Sequence, residues 1–305
     1  MGRFDIVAHR GVADGVPENT LAAFERAVDL GADAIELDVR LSKDGVPVVF
    51  HNTYLDGKTE ASGPIFAHTF AQLRELQLLG GGESPEGRRI PTFREVLEAF
   101  AGRLGLEIEL KGPEPESSEI VAAELQRFRH LWDTMEVTSY EPALLLDIGR
   151  RCPGLATDLL VRRSEDWMKL DVVAYVAVQT GRLAGARAVH LHPTQLFSEV
   201  VSTVRAAGFE VHAWDVNDTG SLHMMKQLDI PKFDTDNLRL ALQFRRGLDG
   251  KGKRDIGAVA RGDIRSEGAG DGSSSVAASV TGVAVYFVPA IMRSEDRRVD
   301  PDVAP

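Results

Sequence analysis

In the run AIELDV, Glu36 and Asp38 alternate with Ile35, Leu37 and Val39. A strand turns successive side chains to opposite faces, so the two carboxylates point one way and the three aliphatic groups the other. The run LEIELK repeats this arrangement, with Glu107, Glu109 and Lys111 on one face. Burying carboxylates without partners is costly, and an oxygen-preferring divalent cation offsets that cost by taking acids from two strands as ligands. Acids at strand ends, in water or paired with Arg and Lys, satisfy the same spacing, so periodicity alone leaves both readings open. His9 closes FDIVAH, with Arg10 and Gly11 beside it, and His51 closes VPVVFH. An imidazole exchanges a proton near neutral pH, so two of them flanking a phosphorus atom can act as general base and general acid. Arg10 can grip a phosphate through two parallel hydrogen bonds, and Lys111 can add a point charge. For each, the plainer reading is a salt bridge to a neighbouring acid.

Spacing does not select the histidine pair. His68, His130, His190, His192, His212 and His223 remain, and HLH and VHAW also sit at strand-like positions. Other chemistries find less support. Gly80 to Gly82 lack the spacing and following Lys of a phosphate-binding loop and read as a flexible loop. No CxxC or HExxH pattern points to a thiolate-bound or zincin-type zinc, and Ser139 lacks the flanking glycines of a nucleophile elbow. Cys152, the single cysteine, follows a helical pattern and reads as structural.

The elements that must hold these residues are short β-branched runs alternating with helical patterns, which implies parallel strands joined by crossover helices. Pro17 to Gly31 reads as a helix with an apolar stripe of Leu21, Phe24, Val28 and Leu30 and a glycine stop. Nine or ten runs qualify as strands, more than the eight of a closed barrel, so one or two are misread or lie outside it; VVAYVAV and KFDTD are the weakest. Active sites of such barrels lie at the strand C-terminal ends, where His9 and His51 fall. A turn-rich stretch from about Asn52 to Arg89 is too long for an ordinary connection and predicts an insertion over that face. After Arg246 the composition becomes Gly/Ser-rich, which places a domain boundary there and a flexible tail over 247–305. The run VAASVTGVAVYFVPAIM in the tail is short and interrupted for a membrane span, so no stable span is expected.

The chain has 305 residues and a formal net charge of -11, which disfavours binding to nucleic acid or an anionic membrane. A small anionic substrate would need local cations or a metal. The N-terminus runs into a strand without an apolar signal core, and Ile6 stands where a myristoylation signal needs Ser or Thr, so a cytoplasmic location is expected. Nothing in the residues fixes an oligomeric state.

HRG at 9–11, PENT at 17–20, ELD at 36–38, KDG at 43–45, VVFH at 48–51 and IELK at 108–111 together resemble the glycerophosphodiester phosphodiesterase family. Weaker similarity continues through IPTFREVL, TSY and WDVN, covering about residues 4–245. The resemblance implies a (β/α)8 TIM barrel over 1–246 that cleaves glycerophosphodiesters to sn-glycerol 3-phosphate and an alcohol, with Ca2+ or Mg2+ as cofactor. It implies acid/base roles for His9 and His51, metal ligation by Glu36, Asp38 and Glu109, and phosphate contacts from Arg10 and Lys111. Glu18 and Asn19 border the site in that pattern, and Trp214 would wall the glycerol pocket or serve as a core aromatic. There are departures: Asn52 stands in place of the usual Asp, Asp215 in place of Thr, Glu107 where an amide is common, and KFDTDN lacks the flanking glycine and proline. Two other readings stay open: a lysophospholipase D or sphingomyelinase D-like enzyme with an apolar channel beside the metal, and a catalytically silent barrel used for binding.

Overall fold

A computed structural model of the chain describes residues 4–81, 86–112 and 114–259. Nine of the strand-like runs form strands: β1 (Asp5–Ala8), β2 (Ala34–Leu41), β3 (Pro47–Val49), β4 (Gly105–Leu110), β5 (Met135–Ser139), β6 (Ala156–Leu160), β7 (Ala188–Leu191), β8 (Glu210–Ala213) and β9 (Lys232–Thr235). Eight of them pair in parallel in the order β1-β9-β8-β7-β6-β5-β4-β2, and β1 also pairs with β2, which closes the expected barrel. The outlying strand is β3. It runs antiparallel to the upper part of β2, with Val39 opposite Val49 and Leu41 opposite Pro47, so VPVVFH is not one of the eight staves. KFDTD, weak by composition, is β9 and closes the ring against β1.

VVAYVAV is helical. Its helix, Leu170–Ala184, buries Val173, Ala174, Ala177, Val178 and Gly181, a helical spacing, and ends at Gly185 in the left-handed conformation. The valines suggested a strand because their β-branching suits a pleated surface, but the period of the buried positions decides the element. The first helix, Leu21–Leu30, is shorter than its pattern: Thr20 caps its N-terminus and Gly31 (φ 87°) its C-terminus. Its buried face is Ala23, Phe24 and Ala27, while Leu21 is exposed. Pro17 to Asn19 stay outside it, with Asn19 itself at φ 57°.

Apolar packing lies between the barrel and its helices. Ile35, Leu37 and Val39 of β2 and Ile108 of β4 face outward into that layer with Phe24, Phe93 and Phe100. Their alternate neighbours fill the interior of the barrel, where Glu36, Asp38, Glu107, Glu109, Asp158, His190, His212 and Asp234 are all buried. Leu55, Ile65, Leu73 and Leu78 of the insertion form a second apolar cluster with Phe50 and Ile90 beside β3. Gly81, read from sequence as part of a flexible loop, lies where a Cβ would come within 2.6 Å of the Gly15 carbonyl carbon. Cys152 is buried, as its setting suggested. The last described helix, Leu238–Val259, runs through Arg246; residues 260–305, with the apolar run, lie outside the described residues. Among the described residues no helix is long and apolar enough to cross a membrane.

Where β1 ends, the chain turns through Arg10 (φ 54°) and Gly11 (φ 79°). A Cβ on Gly11 would meet the carbonyl carbon of Ala23 at 2.7 Å, so position 11 tolerates no side chain. Gly11→Ala is therefore expected to lower stability by about 1–3 kcal/mol. Urea unfolding measures this, and an unchanged midpoint would contradict the packing of the turn on the first helix.

Candidate functional site

The C-terminal mouth of the barrel holds a cavity of about 670 Å³ lined by His9, Arg10, Glu18, Glu36, His51, Glu109, Lys111 and Trp214. The two remaining residues singled out from sequence stand just behind it. Asp38 is fully buried below the floor. Asn19 grips it from the side, donating from Nδ2 to Asp38 Oδ2 at 2.6 Å and accepting from the Asp38 backbone N–H at 3.2 Å. Asn19 thus contacts a carboxylate of the buried acidic cluster, whereas the motif alone had put it at the substrate border.

Period-two alternation brings the acids together. Glu36 pairs in register with Glu107, and Asp38 with Glu109, so the upper pair of each strand shares one level of the interior. One oxygen from each of Glu36, Asp38 and Glu109 lies within 4.8 Å of the others. Lys111 reaches across them, 2.8 Å from Asp38 Oδ1 and 2.7 Å from Glu109 Oε2. The left-handed turn at Arg10 points its backbone N–H at Glu36 Oε2, 2.9 Å away. The Arg10 guanidinium lies 3.2 Å from Asp38 and 3.3 Å from Glu18. Glu18 also pairs with Lys58 of the insertion at 3.2 Å.

The antiparallel return of β3 explains how a residue outside the barrel reaches its mouth. Phe50 N–H donates to Asp38 O at 2.9 Å and Arg40 Nε to His51 O at 2.8 Å, so His51 is carried back over β2 to the level of the acids. Its Nδ1 faces Asn52 Oδ1 at 3.2 Å. An amide oxygen only accepts, so Nδ1 carries the proton and Nε2 presents a lone pair. His9 is fixed from the other side: Nδ1 is 2.7 Å from Asp236 Oδ1, and Nε2 is 3.9 Å from Glu36 Oε2.

The electrostatics follow from crowding acids out of water. Burial, then the charges of Asp38 and Glu109, push Glu36 well above the ordinary carboxylate range. Burial also lifts Glu109, to about 7, against the pull of Lys111. Asp38 is equally buried, but Lys111, Arg10 and His51 outweigh that burial and hold it far below the usual range. Burial and the nearby Lys111 and Arg10 press His51 down to about 4. For His9 burial is overcome by the Asp236 hydrogen bond and the Glu36 and Asp234 charges, which raise it to about 10. Three buried carboxylates make an oxygen-only donor set, and Glu36 Oε1 has no hydrogen-bond partner. These residues fit a divalent cation.

Some of the site was not singled out from sequence. Asp236 orients His9, and Asn217 orients Asp236, donating to its carboxylate at 3.0 Å and accepting its backbone N–H at 2.7 Å. Asp234, raised to about 6 by burial despite the charge of His9, lines the same cavity with Tyr140. The signal for both aspartates was the K-F-D-T-D alternation, the same pattern that exposed Glu36 and Asp38. Asp215 pairs with Arg163 at 2.5 Å at the rim, and Trp214 lies between Tyr140 and His192, with its Nε1 donating to Val161 O at 3.2 Å.

The sequence profile of the glycerophosphoryl diester phosphodiesterase family matches residues 9–240. A glycerophosphodiester phosphodiesterase of Caldanaerobacter subterraneus subsp. tengcongensis is 32% identical over 244 residues, covering 76% of this chain and 93% of the relative. Among solved structures, a glycerophosphodiester phosphodiesterase from Agrobacterium tumefaciens superposes with TM-score 0.64 at 28% identity, covering 78% of this chain and 98% of its own. An Oleispira antarctica phosphodiesterase, solved in complex with the product sn-glycerol-3-phosphate, superposes with TM-score 0.67 at 27% identity over 78% of this chain and 95% of its own.

Replacing Asn52 with Asp would set a negative charge against His51 Nδ1, and a nearby carboxylate favours the imidazolium. In Asn52→Asp the His51 titration midpoint, read by NMR of the ring, is expected to rise by about one unit or more. An unchanged midpoint would contradict the contact between the two side chains.

Proposed function

The chain belongs to the glycerophosphoryl diester phosphodiesterase family, and from that premise we propose that it hydrolyses glycerophosphodiesters to sn-glycerol 3-phosphate and an alcohol at the mouth of the barrel. The convergence of Glu36, Asp38 and Glu109 between two histidines carries this reading. Those carboxylates would hold the cation, for which Ca2+ or Mg2+ suits the oxygen-only donors. A cation bound there supplies charge neutralisation at the phosphoryl oxygens. Arg10 and Lys111 add positive charge on the same side, aimed where negative charge grows as the phosphorus is attacked. Glu18 and Asn19 hold Arg10 and Asp38 in place.

His51, with Nε2 bare, is suited to take a proton, and His9, braced by Asp236, to give one; the pair thus serves both the entering and the departing oxygen. Trp214 offers a flat apolar wall for the carbon face of glycerol, with Asp215 and Asp236 nearby for its hydroxyls. The barrel of residues 1–246 as the catalytic unit, and a cytoplasmic location, belong to the same proposal.

One observation favours a second substrate class. A cleft of about 350 Å³ adjoins the main cavity, sharing Ala13, Glu18 and His51 with it. Its walls include Val16, Pro17, Phe50, Leu78 and Leu79, an apolar channel of the kind a lysophospholipid would require. The silent-barrel alternative is disfavoured by the retention of both histidines and all three acids.

Purified protein given glycerophosphocholine or glycerophosphoethanolamine is expected to release glycerol 3-phosphate with Ca2+ or Mg2+ and to stop on chelation. His9→Ala and Glu36→Ala should each lower kcat by roughly 100- to 10,000-fold. Faster turnover of lysophosphatidylcholine would move the assignment to the lipid substrate. Activity indifferent to chelator and to both variants would refute the site.

A further inference from the structure

We propose that the lower half of the barrel contains a second metal site, distinct in chemistry from the first, in which Asp158, His190 and His212 bind a zinc-class cation. The three residues come from the neighbouring strands β6, β7 and β8, and all are buried. His212 Nδ1 lies 3.1 Å from His190 Nε2, His190 Nε2 lies 3.4 Å from Asp158 Oδ2, and His212 Nδ1 lies 3.6 Å from the same oxygen. A tetrahedral centre with bonds of about 2.0 Å has edges of about 3.3 Å, so these atoms form one face of such a tetrahedron.

A second feature is independent of that triangle. In histidine metal sites the nitrogen turned away from the ion is usually met by a carboxylate, which fixes the ring. Each ring has a carboxylate on that side at ion-pair distance: His190 Nδ1 lies 3.5 Å from Glu107 Oε1, and His212 Nε2 lies 3.4 Å from Glu210 Oε2. His190 Nδ1, deeply buried, has no hydrogen-bond partner. Asp158 is oriented in turn by Arg187, whose Nε is 3.1 Å from Oδ1 and whose Nη2 is 2.6 Å from Oδ2. A carboxylate oxygen that accepts one hydrogen bond keeps a lone pair for a metal.

Two imidazoles and one carboxylate favour zinc or a similar transition ion, whereas the three carboxylates above favour a hard cation. The entry route is a cavity of about 840 Å³ at the N-terminal pole, lined by Arg187, Glu210, His212 and Lys232 among others. With ligands from three consecutive strands, the ion would staple that side of the barrel at the end opposite the phosphodiesterase site.

The test uses the full chain carrying Glu36→Gln, which weakens the upper cluster, stripped with chelator and titrated with Zn2+ alone. Uptake of roughly one ion per chain is expected, with two imidazoles in its shell by X-ray absorption. His212→Gln should abolish that uptake. Glu210→Gln, at an exposed position, should weaken it about 10- to 100-fold and decides the matter if His212→Gln does not fold. No uptake, a shell without imidazole, or uptake indifferent to Glu210→Gln and His212→Gln would overturn the site and leave a metal-free network of shared protons and ion pairs.

Discussion

Mutual repulsion among carboxylates held inside the barrel is the constraint from which the rest of the structure follows. Glu36, Asp38 and Glu109 stand within 4.8 Å of one another and out of water. Such a cluster persists only if positive charge is brought to it. Lys111 bridges two of the acids, the Arg10 guanidinium reaches Asp38, and the Arg10 backbone N–H reaches Glu36. These groups relieve the repulsion unevenly. Asp38 is held firmly ionised, while Glu36 and Glu109 are lifted above their ordinary range. Under the proposed function, the same arrangement sets the positive charge of Arg10 and Lys111 beside the carboxylates that would hold a divalent cation.

Much of the local geometry serves to maintain this arrangement. The turn at Arg10 and Gly11 takes left-handed conformations so that a backbone N–H can reach Glu36, and its cost is met by close packing on the first helix. Asn19 adopts the same unusual conformation and spends its amide on Asp38. The antiparallel strand β3 gives up a place in the ring to bring His51 back over the acids. The apolar energy that offsets these costs comes from the outer layer, where Ile35, Leu37 and Ile108 alternate with the acids along the same strands.

The inward acids were legible in the sequence because period-two alternation is a geometric property of a strand, whatever its neighbours. The same rule applied to KFDTD would have exposed Asp234, but its single aromatic made a weak strand. VVAYVAV, the other weak candidate, is ambiguous for the opposite reason, since β-branched density imitates a strand while the buried positions follow a helical period. The pairing with His9 was not legible: the alternation marks Asp236, but Asp236 and Asn217 lie more than 200 residues from His9, and only ring closure between β1 and β9 brings them near. Nor was the direction of β3. An apolar run and a short turn read alike whether the strand joins a ring or folds back beside it.

The most direct measurement of the central claim is anomalous diffraction from crystals soaked in Mn2+, a visible stand-in for Ca2+ or Mg2+. A peak about 2–2.6 Å from oxygens of Glu36, Asp38 and Glu109 is the expected result. Crystals that bind Mn2+ elsewhere, with Lys111 still bridging Asp38 and Glu109 and no density among the three carboxylates, would contradict it.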